Sequence, residues 1–280
     1  MDKKLQGQKA ALLLNLHHGP KILVMANVWD AISARIVEET GFPAVATTSA
    51  GVAATLGYPD GEQVSRAEML EVVARVARAV QVPVTADMEA GYGTKPEEMA
   101  ETALELIETG AVGLNLEDVT GVDESSQVEL GLQVEKIRAI REASAAAGVP
   151  LVINARTDVY LMPIGPAETR FERTVERLRA YAKAGADCVF APAVKDADTI
   201  AKLVKAVEAP LNILLMPGAP NLNELERLGV ARASIGSGLM RATLGTARKL
   251  ARAMLERHDG ETMFAEAVPY VEVNRLLGRS

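Results

Sequence analysis

Eight short apolar runs alternate with eight longer segments of helical period along nearly the whole chain, and this alternation restricts the fold more than any other feature. The runs are Lys21 to Ala26, Ala44 to Thr47, Pro83 to Asp87, Val112 to Glu117, Leu151 to Ala155, Asp187 to Ala191, Leu211 to Met216 and Arg232 to Ile235. The segments between and after them, from Ala31 to Glu39 through Leu239 to Arg257, carry apolar residues at spacings of three and four with charges opposite. That is the pattern of an amphipathic helix. Gly41, Gly110, Gly148, Gly185 and Gly229 stand just past five of these segments, where a left-handed C-cap is wanted. Strands separated by helices pair in parallel through right-handed crossovers. Eight such units in 280 residues predict a (β/α)8 TIM barrel rather than an open sheet.

No linker, low-complexity tract or shift in composition divides the chain, so residues 1–280 are expected to form one domain, with the barrel at about 20–257. An extra helix precedes it, and an amphipathic extension at about 258–280 follows, with Phe264, Val268, Val271, Val273, Leu276 and Leu277 for one face. A closed barrel has little use for that face, which packs either on its own barrel or on a neighbouring subunit. The 37 acids exceed the 30 bases, giving a net charge of -7, which argues against nucleic acid or an anionic membrane as partner. No apolar run approaches the length of a membrane span. The N-terminal apolar stretch is short and runs into Asn15, His17 and His18, as in a helix rather than a signal peptide. The single cysteine, Cys188, lies within a predicted strand as a small core residue and fits a reducing cytoplasm.

In a barrel of this kind the chemistry sits where strands end. The run ending Ala86-Asp87-Met88-Glu89 is followed by Ala90-Gly91-Tyr92-Gly93. Alternation along an extended backbone aims both acids into one space, and two acids side by side repel unless a cation lies between them. Alternatively, Asp87 pairs with a buried arginine and Glu89 caps the next helix. Neighbouring strand ends offer Thr47-Thr48-Ser49-Ala50-Gly51, Glu117-Asp118 and Arg156-Thr157-Asp158. Arg156 either serves a ligand or only neutralises these acids. Gly236-Ser237-Gly238 after the last strand is either a phosphate cradle or a plain helix-opening turn. His17 and His18 before the barrel and His258 after it lie outside the predicted site.

From Asn27-Val28-Trp29-Asp30-Ala31-Ile32-Ser33-Ala34-Arg35 to about Leu250, the sequence resembles the phosphoenolpyruvate mutase and isocitrate lyase superfamily. The resemblance is carried by the Ser-Ala-Gly stretch with Leu56-Gly57-Tyr58-Pro59-Asp60, by Ala86 to Gly93, by Leu116-Glu117-Asp118 and by Ala155 to Asp158, in order on successive strands. It implies Mg2+ or Mn2+ on Asp87 and Glu89, directly or through water, with Glu117 beside them. Asp87 is the expected direct ligand, and Glu89 is one methylene longer than the family's usual Asp. The resemblance also implies a small 2-oxo acid substrate, its carboxylate held by backbone amides at Thr48, Ser49 and Ala50. Arg156 would grip a substrate oxygen through its planar fork, and Asp60 would order water at the metal. A homotetramer, a dimer of dimers exchanging C-terminal helices, is implied too.

The departures from the family narrow the chemistry. The loop from Val119 to Gly131 contains no Cys, His, Lys or Arg, so the thiol and lysine of the family's Lys-Lys-Cys-Gly-His lid are missing. Asn115 replaces a frequent His, Phe190-Ala191-Pro192-Ala193 lacks an acid, and Leu214-Leu215-Met216-Pro217 lacks the family's Asn and Thr. Cleavage of isocitrate or methylisocitrate is therefore rejected. A metal, an oxyanion grip and an apolar far wall suffice for decarboxylating a β-keto acid such as oxaloacetate, because CO2 leaves without protonation. A retro-aldol cleavage would need a base, for which Tyr58, Tyr92 and Tyr160 are candidates. The alternatives are phosphonopyruvate or phosphoenolpyruvate chemistry at a phosphorus–carbon bond, a non-catalytic 2-oxo acid binder, or a phosphosugar barrel using Gly236 to Gly238.

Overall fold

The computed structural model describes residues 2–120, 126–162, 164–258, 260–265 and 267–278. Among them, nine strands form one sheet in which every pair is parallel. The predicted first strand is divided at Ala26 into β1 (Leu23–Met25) and β2 (Asn27–Val28). The two pieces join the ends of the sheet. β1 pairs with β9 (Arg232–Ser234) and β2 with β3 (Val45–Thr47). Between these lie β4 (Val84–Asp87), β5 (Gly113–Leu116), β6 (Val152–Arg156), β7 (Cys188–Phe190) and β8 (Leu211–Leu214), in sequence order. This is the expected (β/α)8 barrel, with its first strand broken.

The helices alternate with the strands as the periodicity predicts. α2 (Ala31–Glu39) follows β2, α4 (Arg66–Ala79) precedes β4, and α5 (Pro96–Thr109) precedes β5. α6 (Leu130–Ala146), α7 (Arg170–Ala184), α8 (Ala197–Val207) and α9 (Leu222–Arg227) complete the ring. Capping boxes open α2 at Asp30 and α4 at Ser65, each satisfying otherwise unpaired N–H groups. Gly110 and Gly185 close α5 and α7 in the left-handed conformation, at φ 95° and 112°, which glycine adopts without steric penalty. One helix was not expected. The stretch after β3 forms α3 (Ser49–Leu56) at once, with Thr48 as its N-cap.

α1 (Lys3–Leu16) closes the N-terminal end of the barrel. Its Ala10 and Leu13 pack on Leu23, Met25, Ala44, Val112 and Val152, and Gln6 Nε2 donates to the carbonyls of Ile107 and Ala111 at 2.8 and 2.9 Å. Burying a leucine such as Leu13 contributes about 1.5–3 kcal/mol. At the other end of the chain, α10 (Gly238–Arg257) leads to α11 (Tyr270–Leu277). α11 lies on α2, where Leu276 is buried and its carbonyl accepts from Arg35 Nε at 2.7 Å.

Two ladder rows set the inside of the barrel. In one, Asp87, Asn115, Asn154 and Cys188 are successive partners across β4 to β7. In the other, Arg156, Phe190, Asn212 and Arg232 are partners across β6 to β9. Because barrel strands are staggered, the second row runs from the C-terminal end of β6 down to the first residue of β9.

Candidate active site

A cavity of about 170 Å3 opens where the strands end, lined by Thr48, Ser49, Ala50, Asp60, Asp87 and Arg156 among others. Asp87 is held from two sides. Its Oδ1 accepts from Asn115 Nδ2 at 2.8 Å, and Asn115 Oδ1 accepts from Asn154 Nδ2 at 2.9 Å. Its Oδ2 accepts from Ser49 N and Oγ at 3.0 and 2.9 Å. Asn115 thus keeps a donor on Asp87 where the family often has His.

Glu89 departs from the expected geometry. β4 ends at Asp87, and Glu89 has φ 50° in the following turn, so the alternation that would aim both acids together stops before it. Its carboxylate lies outside the cavity lining and accepts from Glu62 N and, at 3.2 Å, from Tyr92 Oη. Burial, and to a lesser degree the charges of Asp87, Asp60 and Glu62, push the Glu89 carboxyl up to about 7. Asp60 does line the cavity, and burial followed by the charge of Asp87 raises its carboxyl too.

Arg156 is forked between two acids. Nε and Nη2 donate to Asp158 Oδ1 and Oδ2 at 2.5 and 2.8 Å, and Nη1 lies 2.8 Å from Glu117 Oε2. A guanidinium has five N–H donors, and with three engaged, two are left for the cavity that Arg156 lines. Both carboxylates hold the guanidinium in its charged form. Glu117 faces Arg156 from outside the cavity lining, and burial pushes its carboxyl well above the usual range while Arg156 pulls it down. The acid next to it, Asp118, is fully buried and structural. It accepts from Thr157 Oγ1 at 2.7 Å, Asp158 N at 3.0 Å, Arg177 Nε at 2.6 Å and Tyr181 Oη at 2.7 Å. Asp118 therefore ties the ends of β5 and β6 to α7.

The amide grip is narrower than the resemblance implies. Thr48 N donates to Val28 O at 3.0 Å and Ser49 N to Asp87. Of the three amides, that leaves Ala50's in the first turn of α3, where unpaired N–H groups attract anions. The Gly236-Ser237-Gly238 turn is no open cradle, because Ile235 N and Gly236 N both donate to Asn27 Oδ1, at 3.0 and 2.9 Å. None of Tyr58, Tyr92 and Tyr160 lines the cavity. Residues 121–125 of the loop from Val119 to Gly131 lie outside the described residues. Its base is stitched by an antiparallel bridge between Val119 and Gln127 and by Val128 N donating to Asp118 O at 2.8 Å.

The far wall is apolar as expected, with Leu161, Phe190, Pro192 and Leu214. The floor is not. Thr85, Asn154, Asn212 and Arg232 line it, and sequence reasoning missed all four. The available signal was Arg232 itself, a charge inside the apolar run Val230-Ala231-Arg232-Ala233.

Among the described residues, no three Asp, Glu, His or Cys side chains are grouped to hold a metal ion. The donor chemistry nevertheless fits a hard divalent ion. Asp60 and Asp87 meet at one cavity with no ion pair to either among the described residues, and Mg2+ commonly keeps several waters while taking one or two carboxylates. The residues fit such an ion at Asp87 with Asp60 facing it, while Glu89 and Glu117 lie outside the cavity lining.

A parallel β/α barrel that gathers two carboxylates and a forked arginine at its C-terminal strand ends has the anatomy of a barrel enzyme. The chain matches the family model described as phosphoenolpyruvate phosphomutase over residues 13–255, and it belongs to that family. An uncharacterized protein of Mycobacterium tuberculosis is 34% identical over 263 residues, covering 94% of this chain and 95% of its own. Oxaloacetate decarboxylase 2 of Pseudomonas putida is 34% identical over 215 residues, covering 75% and 68%. A crystal structure from Burkholderia cenocepacia, assigned no more narrowly than lyase/mutase, superposes with a TM-score of 0.89 at 38% identity, covering 97% and 96%. The protein is thus an enzyme of lyase type in the phosphoenolpyruvate mutase and isocitrate lyase superfamily.

Proposed function

We propose that the enzyme cleaves a carbon–carbon bond of a small 2-oxo acid with Mg2+ or Mn2+ at Asp87, and that its reaction is decarboxylation of an oxaloacetate-type β-keto acid. The observation that carries this is the convergence of Asp60 and Asp87 on the cavity where Arg156 has two free donors. The likeness to an oxaloacetate decarboxylase supports the choice of substrate.

The ion, when bound, polarises the 2-oxo group and stabilises the enolate charge. The protein's own groups do the rest. Arg156 offers its two remaining N–H groups to a substrate oxygen, held in plane by Asp158 and Glu117. The Ala50 amide stands where a carboxylate would be oriented. In the reaction the C3–C4 bond breaks, its electron pair passes into C2–C3, the C2 oxygen takes the charge, and CO2 departs without a proton. C3 then needs one proton. No Lys, His, Cys or Tyr lines the cavity among the described residues. Asp60, with its raised carboxyl, is the group that can pass a proton from water. Phe190, Leu161 and Leu214 give the same cavity an apolar wall.

Homotetramer formation with exchanged C-terminal helices is part of the proposal. It is supported by the exposed apolar side chains of that region, among them Leu255 at 78%, Phe264 at 73% and Tyr270 at 83% exposure. No helix among the described residues is long and apolar enough to cross a membrane, and the free, buried Cys188 suits a reducing cytoplasm. The test is product analysis by 13C NMR with Mg2+, using oxaloacetate and phosphonopyruvate in parallel. Pyruvate and CO2 from oxaloacetate support the proposal. Phosphate or rearranged product from phosphonopyruvate alone would replace it with phosphorus–carbon chemistry.

A further inference from the structure

Arg232 is the first residue of β9 and faces into the barrel, in the same ladder row as Asn212, Phe190 and Arg156. It is 3% exposed, and its Nε and Nη1 have no hydrogen-bond partner. No carboxylate pairs with it among the described residues. A buried guanidinium without a counter-ion is costly, because the charge has left water and gained nothing in exchange.

The surroundings offer it no relief. His17, beneath the barrel, is pushed down to about 3, first by burial and then by the charge of Arg232, so it is neutral. Burial pushes the Cys188 thiol up to about 12, so it holds its proton at neutral pH although Arg232 pulls the other way. Asp87 acts on Arg232 only at a distance. Asn212 adds a second donor. Its Oδ1 accepts from Ser234 Oγ at 3.2 Å, which fixes the amide, and its Nδ2 is buried without a partner. Arg232 and Asn212 are Cα partners on adjacent strands and line the cavity that also holds Ser49, Asp87 and Arg156. Two acceptors lie on the same floor, Asn154 Oδ1 and Thr85 Oγ1, both unpartnered. They suit water or a single N–H, but neither carries a charge.

We infer that Arg232 and Asn212 form an anion subsite that takes the second, distal carboxylate of a dicarboxylic 2-oxo acid. The inference rests on the 2-oxo acid reading of the upper site. It assigns the substrate class: dicarboxylates are selected over pyruvate-like monocarboxylates, because only they supply the missing charge. The Arg232 fork can hold a carboxylate through two parallel N–H donors. In a decarboxylation this grip acts on the ground state and fades as CO2 forms, so Arg232 contributes to affinity rather than to rate.

The test compares binding of 3,3-difluorooxaloacetate and pyruvate, each with Mg2+, to wild type, Arg232→Met, Arg232→Lys and Asn212→Asp by calorimetry. Wild type is expected to prefer the dicarboxylate. Arg232→Met should weaken it on the order of ten- to a hundredfold and leave pyruvate within about twofold. Arg232→Lys should restore part of the preference. Asn212→Asp keeps the acceptor for Ser234 and supplies Arg232 with an internal carboxylate, so it should raise Tm and abolish the preference. Arg232→Met removes an unpaired buried charge and is expected to fold; should it fail, Asn212→Asp decides alone. Unchanged preference in both variants overturns the subsite and leaves the upper site standing. Absence of binding of either acid to wild type overturns the 2-oxo acid reading itself. If chloride raises the Tm of wild type but not of Arg232→Met, and the two acids bind alike, the floor holds a resident inorganic anion and the inference is overturned.

Discussion

Glu117 Oε2 lies 2.8 Å from Arg156 Nη1, so the acid expected beside the metal pairs with the arginine that lines the cavity. Lysine cannot reproduce that arrangement, since one ammonium cannot serve Glu117, both oxygens of Asp158 and a ligand. Arg156→Lys is expected to lower kcat/KM on the order of a hundredfold, measured by steady-state kinetics with oxaloacetate. Arg156→Met leaves the buried Asp158 and the partly buried Glu117 without their cation and should cost about 3–5 kcal/mol in urea unfolding.

Asp118 makes a prediction of opposite kind. It touches no part of the cavity but accepts from Thr157, Asp158, Arg177 and Tyr181. Asp118→Asn should destabilise the fold by about 3–5 kcal/mol, because Arg177 is left buried without its acid. Denaturant titration checks this. Unchanged stability would mean that Arg177 finds another partner.

Glu89 predicts a pH dependence of the metal-free protein. Its carboxyl titrates at about 7 folded against 4.5 in a free chain, so the folded state binds the proton more tightly. The associated stability is fully present below about pH 4.5 and is lost as pH rises through 7. Tm of the apo protein should fall between pH 5 and 8, and Glu89→Gln should flatten that fall. A profile identical in the two proteins would show that Glu89 is ionised throughout.

The exposed C-terminal side chains predict assembly. Removing residues 258–280 should convert a tetramer into smaller species in sedimentation velocity. Wild type that sediments as a monomer at micromolar concentration would contradict the oligomer proposal.

Much of the fold was legible because period and punctuation agree: the apolar runs became strands, and Gly41, Gly110, Gly148, Gly185 and Gly229 all take positive φ past their helices. The site was legible where one strand dictates direction, as for Asp87 and Arg156. It was not legible where the backbone turns or where partners come from distant elements. Glu89 was placed by alternation that ends two residues earlier. Asp118 is defined by Arg177 and Tyr181, 59 and 63 residues away. Arg232 stands out in sequence only as a charge within an apolar run, and its meaning emerges once the ladder sets it beside Asn212 with its Nε and Nη1 unpartnered.

The central claim is metal-dependent carbon–carbon cleavage at Asp87, and one measurement tests it most directly: the initial rate of pyruvate formation from oxaloacetate by Mg2+-reconstituted enzyme, against the same Mg2+ alone. Turnover well above that background, lost in Asp87→Asn, is the predicted result. A rate equal to Mg2+ alone for the wild-type enzyme would contradict the account.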